Sequence, residues 1–319
     1  MGKSIKVFEV YGNMKIIKIY ADQKIPKMEK SAACIGYFDG LHLGHQKLFE
    51  KVLTLSQTDN IKSACICFEN DPWIIMHKSE DSSQLTPFSL RMKKLEAMGI
   101  DYCYLLHFDE KMRQLNSETF ISHILEALNL KYLICGHDFH FAYQGKGNVD
   151  SLKNRQFTLH LVDEVVYQEE KISSSKIEML IKAGKIELAN AQLGYVYTLY
   201  GKVIHGNQVG RSILGFPTAN LALEESYVLM KEGVYEGSVI YKQQEYLSMI
   251  NVGHNPTMNE RQDVSIEAHI IDFDEDIYGA SIGVSFRRYL REEQRFDSIK
   301  ALINQLNEDI KTVKKSKGK

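Results

Sequence analysis

Two hydrophobic patterns follow one another along the chain. Between residues 14 and about 185, short apolar runs alternate with longer stretches in which apolar residues recur every three or four positions. The short runs predict strands at 32–37, 63–68, 102–108, 132–135 and 157–162, and the longer stretches predict helices at 45–55, 89–98, 117–128 and 174–183. Strands and helices that alternate in this way predict a parallel sheet covered by helices on both faces.

After residue 194 the pattern changes to strand-like runs joined by glycine-containing turns. The runs lie at 195–203, 233–241, 245–252, 265–272 and 281–289, and one helical stretch follows at 297–312. This order predicts a small antiparallel barrel with a helix packed on it. Because 319 residues are enough for two cores, we predict two domains, 14–187 and 188–319.

The composition narrows the class of protein. No apolar run approaches the roughly 20 residues that cross a bilayer, and residues 1–13 lack the apolar core of a signal peptide. These features predict a cytoplasmic protein that does not associate with membranes. A formal net charge of −2 argues against a broad surface for nucleic acid, and the sequence makes no prediction of oligomeric state.

The five cysteines do not form a disulfide framework, since their number is odd and they lack the paired spacing of metal ligands. Cys65 and Cys67 alternate within a strand-like run. We therefore expect both to face one side of the sheet as small apolar side chains, which fits a reducing compartment.

A turn suited to phosphate follows the first strand of the predicted parallel sheet. Residues 36–45 combine glycines, which let the backbone approach an anion closely, with His42 and His45 at the start of a helix. The free N–H groups and the dipole of a helix N-terminus favour negative charge, and imidazoles can donate hydrogen bonds to phosphate oxygens. The alternative is an ordinary strand-to-helix turn whose histidines are surface caps.

Three motifs of the first domain resemble the adenylyltransferase half of the bacterial bifunctional riboflavin kinase/FAD synthetase family. The nucleotide-binding signature of that half is similar to Gly36-Tyr37-Phe38-Asp39-Gly40-Leu41-His42-Leu43-Gly44-His45. Its flavin-side loop is similar to Gly136-His137-Asp138-Phe139-His140-Phe141, and its late serine motif is similar to Ile172-Ser173-Ser174-Ser175-Lys176-Ile177.

A second set of motifs resembles the riboflavin kinase half of the same family. It comprises Gly201-Lys202-Val203-Ile204-His205-Gly206, Gly210-Arg211, Gly215-Phe216-Pro217-Thr218-Ala219-Asn220, Asn251-Val252-Gly253-His254-Asn255-Pro256-Thr257 and Ile266-Glu267-Ala268-His269. Both sets occur in the order of the family. The resemblance implies an α/β nucleotidyltransferase-like domain with a Rossmann-type parallel sheet, followed by a small antiparallel β-barrel domain with a C-terminal helix.

For the first domain the resemblance implies transfer of AMP from ATP to FMN, which gives FAD and pyrophosphate. His42 and His45 are the implied catalytic residues, in contact with the phosphates of ATP. The implied cofactor-binding residues are Gly36, Phe38, Asp39, Gly40, Gly44, Asp138, Phe139, Ser173, Ser174 and Ser175. The alternative for the serines is a plain helix N-cap.

For the second domain the resemblance implies phosphoryl transfer from ATP to the terminal ribityl hydroxyl of riboflavin. Thr218 and Asn220 would share a face if extended, and their oxygens suit Mg²⁺. Glu267 is the candidate base. The implied cofactor-binding residues are Gly206, Gly210, Arg211, Gly215, Pro217, Asn255 and Arg291. The alternative is a polar turn, a strand glutamate that faces water and an arginine used in packing.

Two positions depart from the family pattern by carrying a carboxylate, and Ala142 replaces a family glycine in the flavin-side loop. Asp71 stands in a turn where the family has histidine, and Glu178 stands where the serine motif leads to an arginine. Both carboxylates add repulsion toward ATP. We predict a bifunctional enzyme with riboflavin, FMN and ATP as substrates, FMN and FAD as products and Mg²⁺ as cofactor. The alternative is a flavin-binding regulatory paralogue, or a single-activity enzyme with an impaired adenylyltransferase site.

Overall fold

The computed structural model describes residues 7–69, 72, 82–205, 218–254 and 264–316. Contacts between Cα atoms divide the chain into two compact units, residues 1–173 (unit 1) and 174–319 (unit 2). The domain boundary between residues 187 and 188 stays a prediction. No helix in the described ranges is long and apolar enough to cross a membrane.

Unit 1 contains a seven-stranded sheet, counted over the described residues. Its strands are β1 (Val7–Tyr11), β2 (Met14–Ile19), β3 (Ser31–Ile35), β4 (Lys62–Phe68), β5 (Tyr102–Leu106), β6 (Leu130–Gly136) and β7 (Thr158–Val162). Their order is β1-β2-β5-β4-β3-β6-β7, and every pair except the β1–β2 hairpin is parallel. Because β4 and β6 lie on opposite sides of β3, the strand order reverses there, and such a crevice binds ligands in open α/β sheets.

The helices of unit 1 largely match the predicted ones. They are α1 (Leu43–Asp59), α2 (Phe88–Ala97), α3 (Glu110–Arg113) and α4 (Ser117–Phe120), and a short hairpin of β8 (Val166–Tyr167) and β9 (Glu170–Lys171) follows the sheet. The single helix predicted at 117–128 is wrong in detail. Only α4 is α-helical, and a π turn (Ile121–Leu125) and a 3-10 turn (Glu126–Leu128) continue it.

One face of the sheet buries a cluster of thiols. Cys65 and Cys67 lie on that face of β4, and the sulfurs of Cys65, Cys67 and Cys103 lie within 4.8 Å of one another. All three side chains are fully buried among apolar residues, including Met92 and Leu95 of α2. The prediction that Cys65 and Cys67 face one side of the sheet as small apolar side chains is confirmed.

Unit 2 contains a closed antiparallel barrel. Helices α5 (Ser174–Lys182) and α6 (Ile186–Leu193) precede it, and helix α7 (Ile299–Ser316) follows it. Its strands are β10 (Thr198–Ile204), β11 (Ala219–Leu223), β12 (Gly233–Tyr241), β13 (Gln244–His254), β14 (Val264–Ile270) and β15 (Ser281–Arg291). The order around the barrel is β10-β11-β14-β13-β12-β15. The predicted barrel with a C-terminal helix is confirmed, whereas β11 and α6 were not among the predicted elements.

Candidate active sites

The loop between β3 and α1 and the first turn of α1, together residues 36–45 (the glycine loop), have an unusual backbone. Phe38, Gly40 and Leu41 all have positive φ, at 61°, 77° and 40°. Residues other than glycine rarely adopt a positive φ, and each residue held there destabilises the fold by roughly 1–3 kcal/mol. Phe38 and Leu41 are both fully buried in the apolar core beside α1. Burial of these two side chains therefore helps to hold the strained loop.

The two histidines of the glycine loop lie together at the start of α1. His42 is the N-cap, and its Nδ1 accepts a hydrogen bond of 3.3 Å from the backbone N–H of His45. The two rings stack with their centroids 3.7 Å apart. Because Nδ1 of His42 accepts, the ring proton lies on Nε2, which remains a donor. Gly44 allows this packing, since a Cβ there would come within 3.1 Å of the His42 ring.

Burial keeps both imidazoles neutral. It lowers the pKa of His42 to about 4, and it lowers the pKa of His45 well below its ordinary value, with further contributions from His42 and Arg91. Nδ1 of His45 is buried and has no hydrogen-bond partner among the described residues. Such an orphaned buried polar atom in a native site calls for a ligand or a water. The loop thus offers neutral N–H donors and helix amides to an anion.

Asp39 turns its carboxylate toward a distant segment of the chain. It accepts hydrogen bonds from the backbone N–H groups of Gly40 (2.9 Å), Leu85 (3.0 Å) and Thr86 (2.8 Å), and from the Thr86 hydroxyl (3.1 Å). Burial raises the pKa of Asp39, and the hydrogen bonds from Thr86 and Leu85 oppose that shift. The cofactor-binding role of Asp39 stays a prediction.

Arg91 of α2 lies fully buried beneath the glycine loop. Its guanidinium donates to the backbone oxygen of Tyr37 (2.8 Å), which lies two residues after β3, and to that of Phe68 (3.3 Å), the last residue of β4. It also lies 4.6 Å from the centre of the Tyr37 ring. Thr86 and Arg91 lie outside every motif that was recognised in the sequence. An arginine on the apolar face of α2, beside Met92 and Leu95, was the available signal.

The segment that resembles the flavin-side loop of the family, residues 136–141, lies at the end of β6, the other neighbour of β3. Asp138 forms an ion pair of 2.5 Å with Lys171, which also pairs with Glu164 at 2.6 Å. The charge of Lys171 contributes to the lowered pKa of His42, so the two loops share one electrostatic environment. Phe139 stacks on Phe141, with ring centroids 5.6 Å apart.

The serine motif crosses the division between the two units. Ser173 is the last residue of unit 1, while Ser174 begins α5 and Ser175 lies in its first turn. Glu178, one of the two departures from the family pattern, pairs with Lys182 of the same helix at 2.6 Å. Part of its negative charge is therefore neutralised locally. The other departure, Asp71, lies outside the described residues.

Three polar residues stand side by side on the outer face of the barrel. Glu267 of β14 is the register partner of Asn220 on β11 and of Asn251 on β13. Residues directly opposite one another in antiparallel strands point to the same face. Burial raises the pKa of Glu267, and the carboxylate of Glu293 raises it further. Glu293 also accepts a hydrogen bond of 2.9 Å from Asn251 Nδ2.

This group has the chemistry of a hard-cation and proton-transfer site. Carboxylate and amide oxygens are ligands that Mg²⁺ takes in proteins. The exposed Thr218 lies immediately before β11, whose second residue is Asn220. A carboxylate with a raised pKa is a stronger base than an ordinary glutamate. Glu293 was not predicted, because it lies 26 residues after Glu267, beyond the end of β15 and outside every recognised motif.

Of the other ligand residues predicted for unit 2, the structure describes Arg291, which is bound by groups of the protein itself. The guanidinium of Arg291 is engaged by Asp309 of α7, with its closest contact at 2.7 Å, and by the backbone oxygen of Glu292 at 3.0 Å. Its cofactor-binding role stays a prediction. The following predicted residues lie outside the described residues: Gly206, Gly210, Arg211, Gly215, Pro217 and Asn255.

Comparison with known families gives one match for each part of the chain. The family model of FAD synthetase matches residues 24–176, and the family model of riboflavin kinase matches residues 193–317. The first matched range contains the glycine loop and the second contains the group around Glu267.

Three curated relatives match most of the chain, and each is named bifunctional riboflavin kinase/FMN adenylyltransferase. The protein of Listeria monocytogenes is 33% identical over 279 residues, which cover 86% of this chain and 88% of the relative. The protein of Bacillus subtilis is 33% identical, with 93% and 96% covered. The protein of Escherichia coli K12 is 30% identical, with 94% and 97% covered.

A solved structure shares the fold of the whole chain. It is a Streptococcus pneumoniae protein described as a macrolide-efflux protein, which superimposes with a TM-score of 0.86 at 30% sequence identity. The match covers 94% of this chain and 98% of that protein.

Proposed function

The chain belongs to the bifunctional riboflavin kinase/FMN adenylyltransferase family, and we propose that it converts riboflavin to FMN in unit 2 and FMN to FAD in unit 1. Both family halves are present and in family order. The observation that carries the proposal is that each unit gathers its motif residues into one site: the stacked His42 and His45 in unit 1, and Glu267 between two asparagines in unit 2.

In unit 1 the proposed reaction joins two anions. A phosphate oxygen of FMN attacks the α-phosphorus of ATP, the bond from that phosphorus to the β-phosphate oxygen breaks, and pyrophosphate leaves. The protein lowers the barrier by alignment and by neutralising charge. Nε2–H of His42 and the N-terminal amides of α1 donate to phosphate oxygens, while Lys171, which is paired with Asp138 and Glu164, acts electrostatically on His42.

In unit 2 the proposed reaction transfers the γ-phosphoryl group of ATP to the terminal ribityl hydroxyl of riboflavin. Glu267 accepts the hydroxyl proton as the oxygen attacks phosphorus. Thr218 and Asn220 are the residues that would hold Mg²⁺, and a bound Mg²⁺ would supply charge neutralisation on the ATP phosphates. Asn251 and Glu293 flank the base and fix its surroundings.

Product analysis tests the proposal. The purified protein is incubated with riboflavin, ATP and magnesium, and the flavins are separated by chromatography. We expect FMN first and FAD later. FMN alone would restrict the chain to a kinase, and neither product would favour a flavin-binding regulatory protein. We also propose a cytoplasmic location, because the five free, buried cysteines suit a reducing compartment.

A further inference from the structure

The glycine loop is joined to a segment far away in the sequence by hydrogen bonds of two fully buried side chains. Thr86 and Arg91 are both 0% exposed, and they bind the backbone of the loop, Thr86 from the segment that leads into α2 and Arg91 from α2 itself. Asp39 binds that segment in return. We call Asp39, Thr86 and Arg91 the clamp.

The Thr86 hydroxyl is the centre of the clamp. It accepts a hydrogen bond of 2.8 Å from the backbone N–H of Gly40, and it donates one of 3.1 Å to Asp39 Oδ1. The Asp39 carboxylate accepts two further hydrogen bonds, from the backbone N–H groups of residues 85 and 86. The hydroxyl is therefore used both as acceptor and as donor, a combination that serine can reproduce and that valine cannot.

The clamp acts where the backbone is strained. Gly40, whose N–H it holds, lies between Phe38 and Leu41, the two other residues with positive φ. Strained conformations persist only where the surrounding structure over-determines them. Immediately after these residues the chain places His42 as the N-cap of α1, so the direction of the imidazole and of the helix amides depends on how the loop is held.

We propose that the clamp positions the glycine loop for adenylyl transfer, with Thr86 and Asp39 acting as positioning residues through the backbone of Gly40 and Arg91 acting through the carbonyl of Tyr37. This inference rests on the proposed function of unit 1. None of the three side chains needs to touch ATP to act in this way, because the hydrogen bonds that hold the loop join it to residues 85, 86 and 91 of the same unit. The clamp fixes where His42 and His45 present their N–H groups.

The test compares Thr86→Val with Thr86→Ser in the full chain. Valine keeps the size of threonine but leaves the Gly40 N–H and Asp39 without the hydroxyl, whereas serine keeps both hydrogen bonds. We expect Thr86→Val to lower kcat for FAD formation from FMN at least tenfold, with a smaller change in the KM for ATP. Thr86→Ser should stay within about threefold of the wild type. Formation of FMN in unit 2 serves as the internal control and should be equal in all three proteins.

Amide hydrogen exchange gives a second readout that does not depend on turnover. Residues 40–45 should exchange faster in Thr86→Val than in the wild type and Thr86→Ser, while β4 and β5 should be unchanged. If unit 1 of Thr86→Val does not fold, Asp39→Asn replaces it, since this variant keeps Oδ1 as an acceptor but loses the carboxylate charge and places an N–H₂ group where the Leu85 N–H needs an acceptor.

The outcomes separate the two proposals. A wild type that makes no FAD overturns the proposed function of unit 1, and the role of the clamp in that reaction falls with it. A wild type that makes FAD, together with a Thr86→Val protein of unchanged kcat and unchanged exchange, overturns the clamp alone. Equal loss in Thr86→Ser and Thr86→Val also overturns it, because the hydroxyl would then not be the active feature.

Discussion

The imidazoles of the glycine loop differ from surface histidines because burial keeps them uncharged at neutral pH. An uncharged His42 can donate from Nε2 while its Nδ1 accepts from the start of α1. Positive charge near the site comes instead from the buried Arg91 and from Lys171.

The first expectation concerns stability between pH 6.5 and 4. The pKa of His42 in the folded protein, about 4, lies below its ordinary value of 6.5, so the unfolded chain binds a proton first as the pH falls. The free energy of unfolding should therefore decrease through this window, by on the order of 3 kcal/mol for complete titration. Urea unfolding at pH 7, pH 5 and pH 4 measures it. His42→Gln is the control and should lose less stability over the same range.

The second expectation concerns the catalytic role of the histidines. His42→Ala or His45→Ala should lower FAD formation at least tenfold, which corresponds to about 1.4 kcal/mol of transition-state stabilisation. FMN formation should be unchanged because the kinase residues lie in unit 2. Steady-state rates with FMN and with riboflavin as the starting flavin measure the two steps separately. Wild-type FAD formation in both variants would show that the loop is assigned wrongly.

The third expectation concerns Glu267. Glu267→Gln keeps the size of the side chain and its hydrogen-bonding capacity but removes the basic carboxylate. We expect FMN formation to fall at least a hundredfold, in line with typical general-base contributions of about 10²–10⁴, while riboflavin binding stays close to that of the wild type. Turnover and fluorescence titration with riboflavin measure the two properties. Full activity of this variant would remove Glu267 as the base.

The residues of both sites were predictable to different degrees. His42, His45 and Glu267 stand in short contiguous motifs, so the sequence alone marks them. Thr86 and Arg91 contact the glycine loop from 46 or more residues away, and Glu293 reaches Asn251 across 42 residues. Such partners come together only through sheet pairing and helix packing, which a local pattern does not contain.

At the scale of elements, the predicted alternation of strands and helices in unit 1 and the predicted barrel of unit 2 are both present in the structure. Strand β11 was not predicted, because Asn220 and the nearby Pro217 are residue types typical of a turn. Its strand conformation comes from pairing with β10 and β14. Long-range pairing of this kind overrides local preference.

Helix α7 shows how an element is anchored by one buried ion pair. Arg291 at the end of β15 binds Asp309 of α7, and their side chains are only 16% and 7% exposed. Loss of one partner leaves a buried charge uncompensated, so Asp309→Asn should destabilise unit 2 by about 3 kcal/mol. Denaturant unfolding followed by circular dichroism measures the change.

The same helix offers a matched control. Lys314 pairs with Asp272 at 2.8 Å, but both side chains are largely exposed. Exposed pairs contribute about 0–1 kcal/mol, so Lys314→Gln should be close to wild type. Equal effects of the two substitutions would contradict the anchoring role of Asp309.

At the scale of the whole molecule, two reactions in sequence are assigned to separate units. If each site works alone, two defective chains should complement one another. We expect a mixture of His42→Ala and Glu267→Gln proteins to convert riboflavin to FAD, because FMN released by the first protein is the substrate of the second. Neither protein alone should do so. Chromatography of the flavins over time checks this, and the absence of FAD from the mixture would mean that FMN must pass within one chain.

The buried thiols of the sheet have a practical consequence for such experiments. All five cysteines of the chain lie in unit 1, at positions 34, 65, 67, 103 and 135, and each is buried. A thiol reagent in solution can therefore modify the protein only when unit 1 opens, and unit 2 contributes no signal. The rate of labelling thus reports the opening of the adenylyltransferase half by itself, in the intact chain and without any added probe residue.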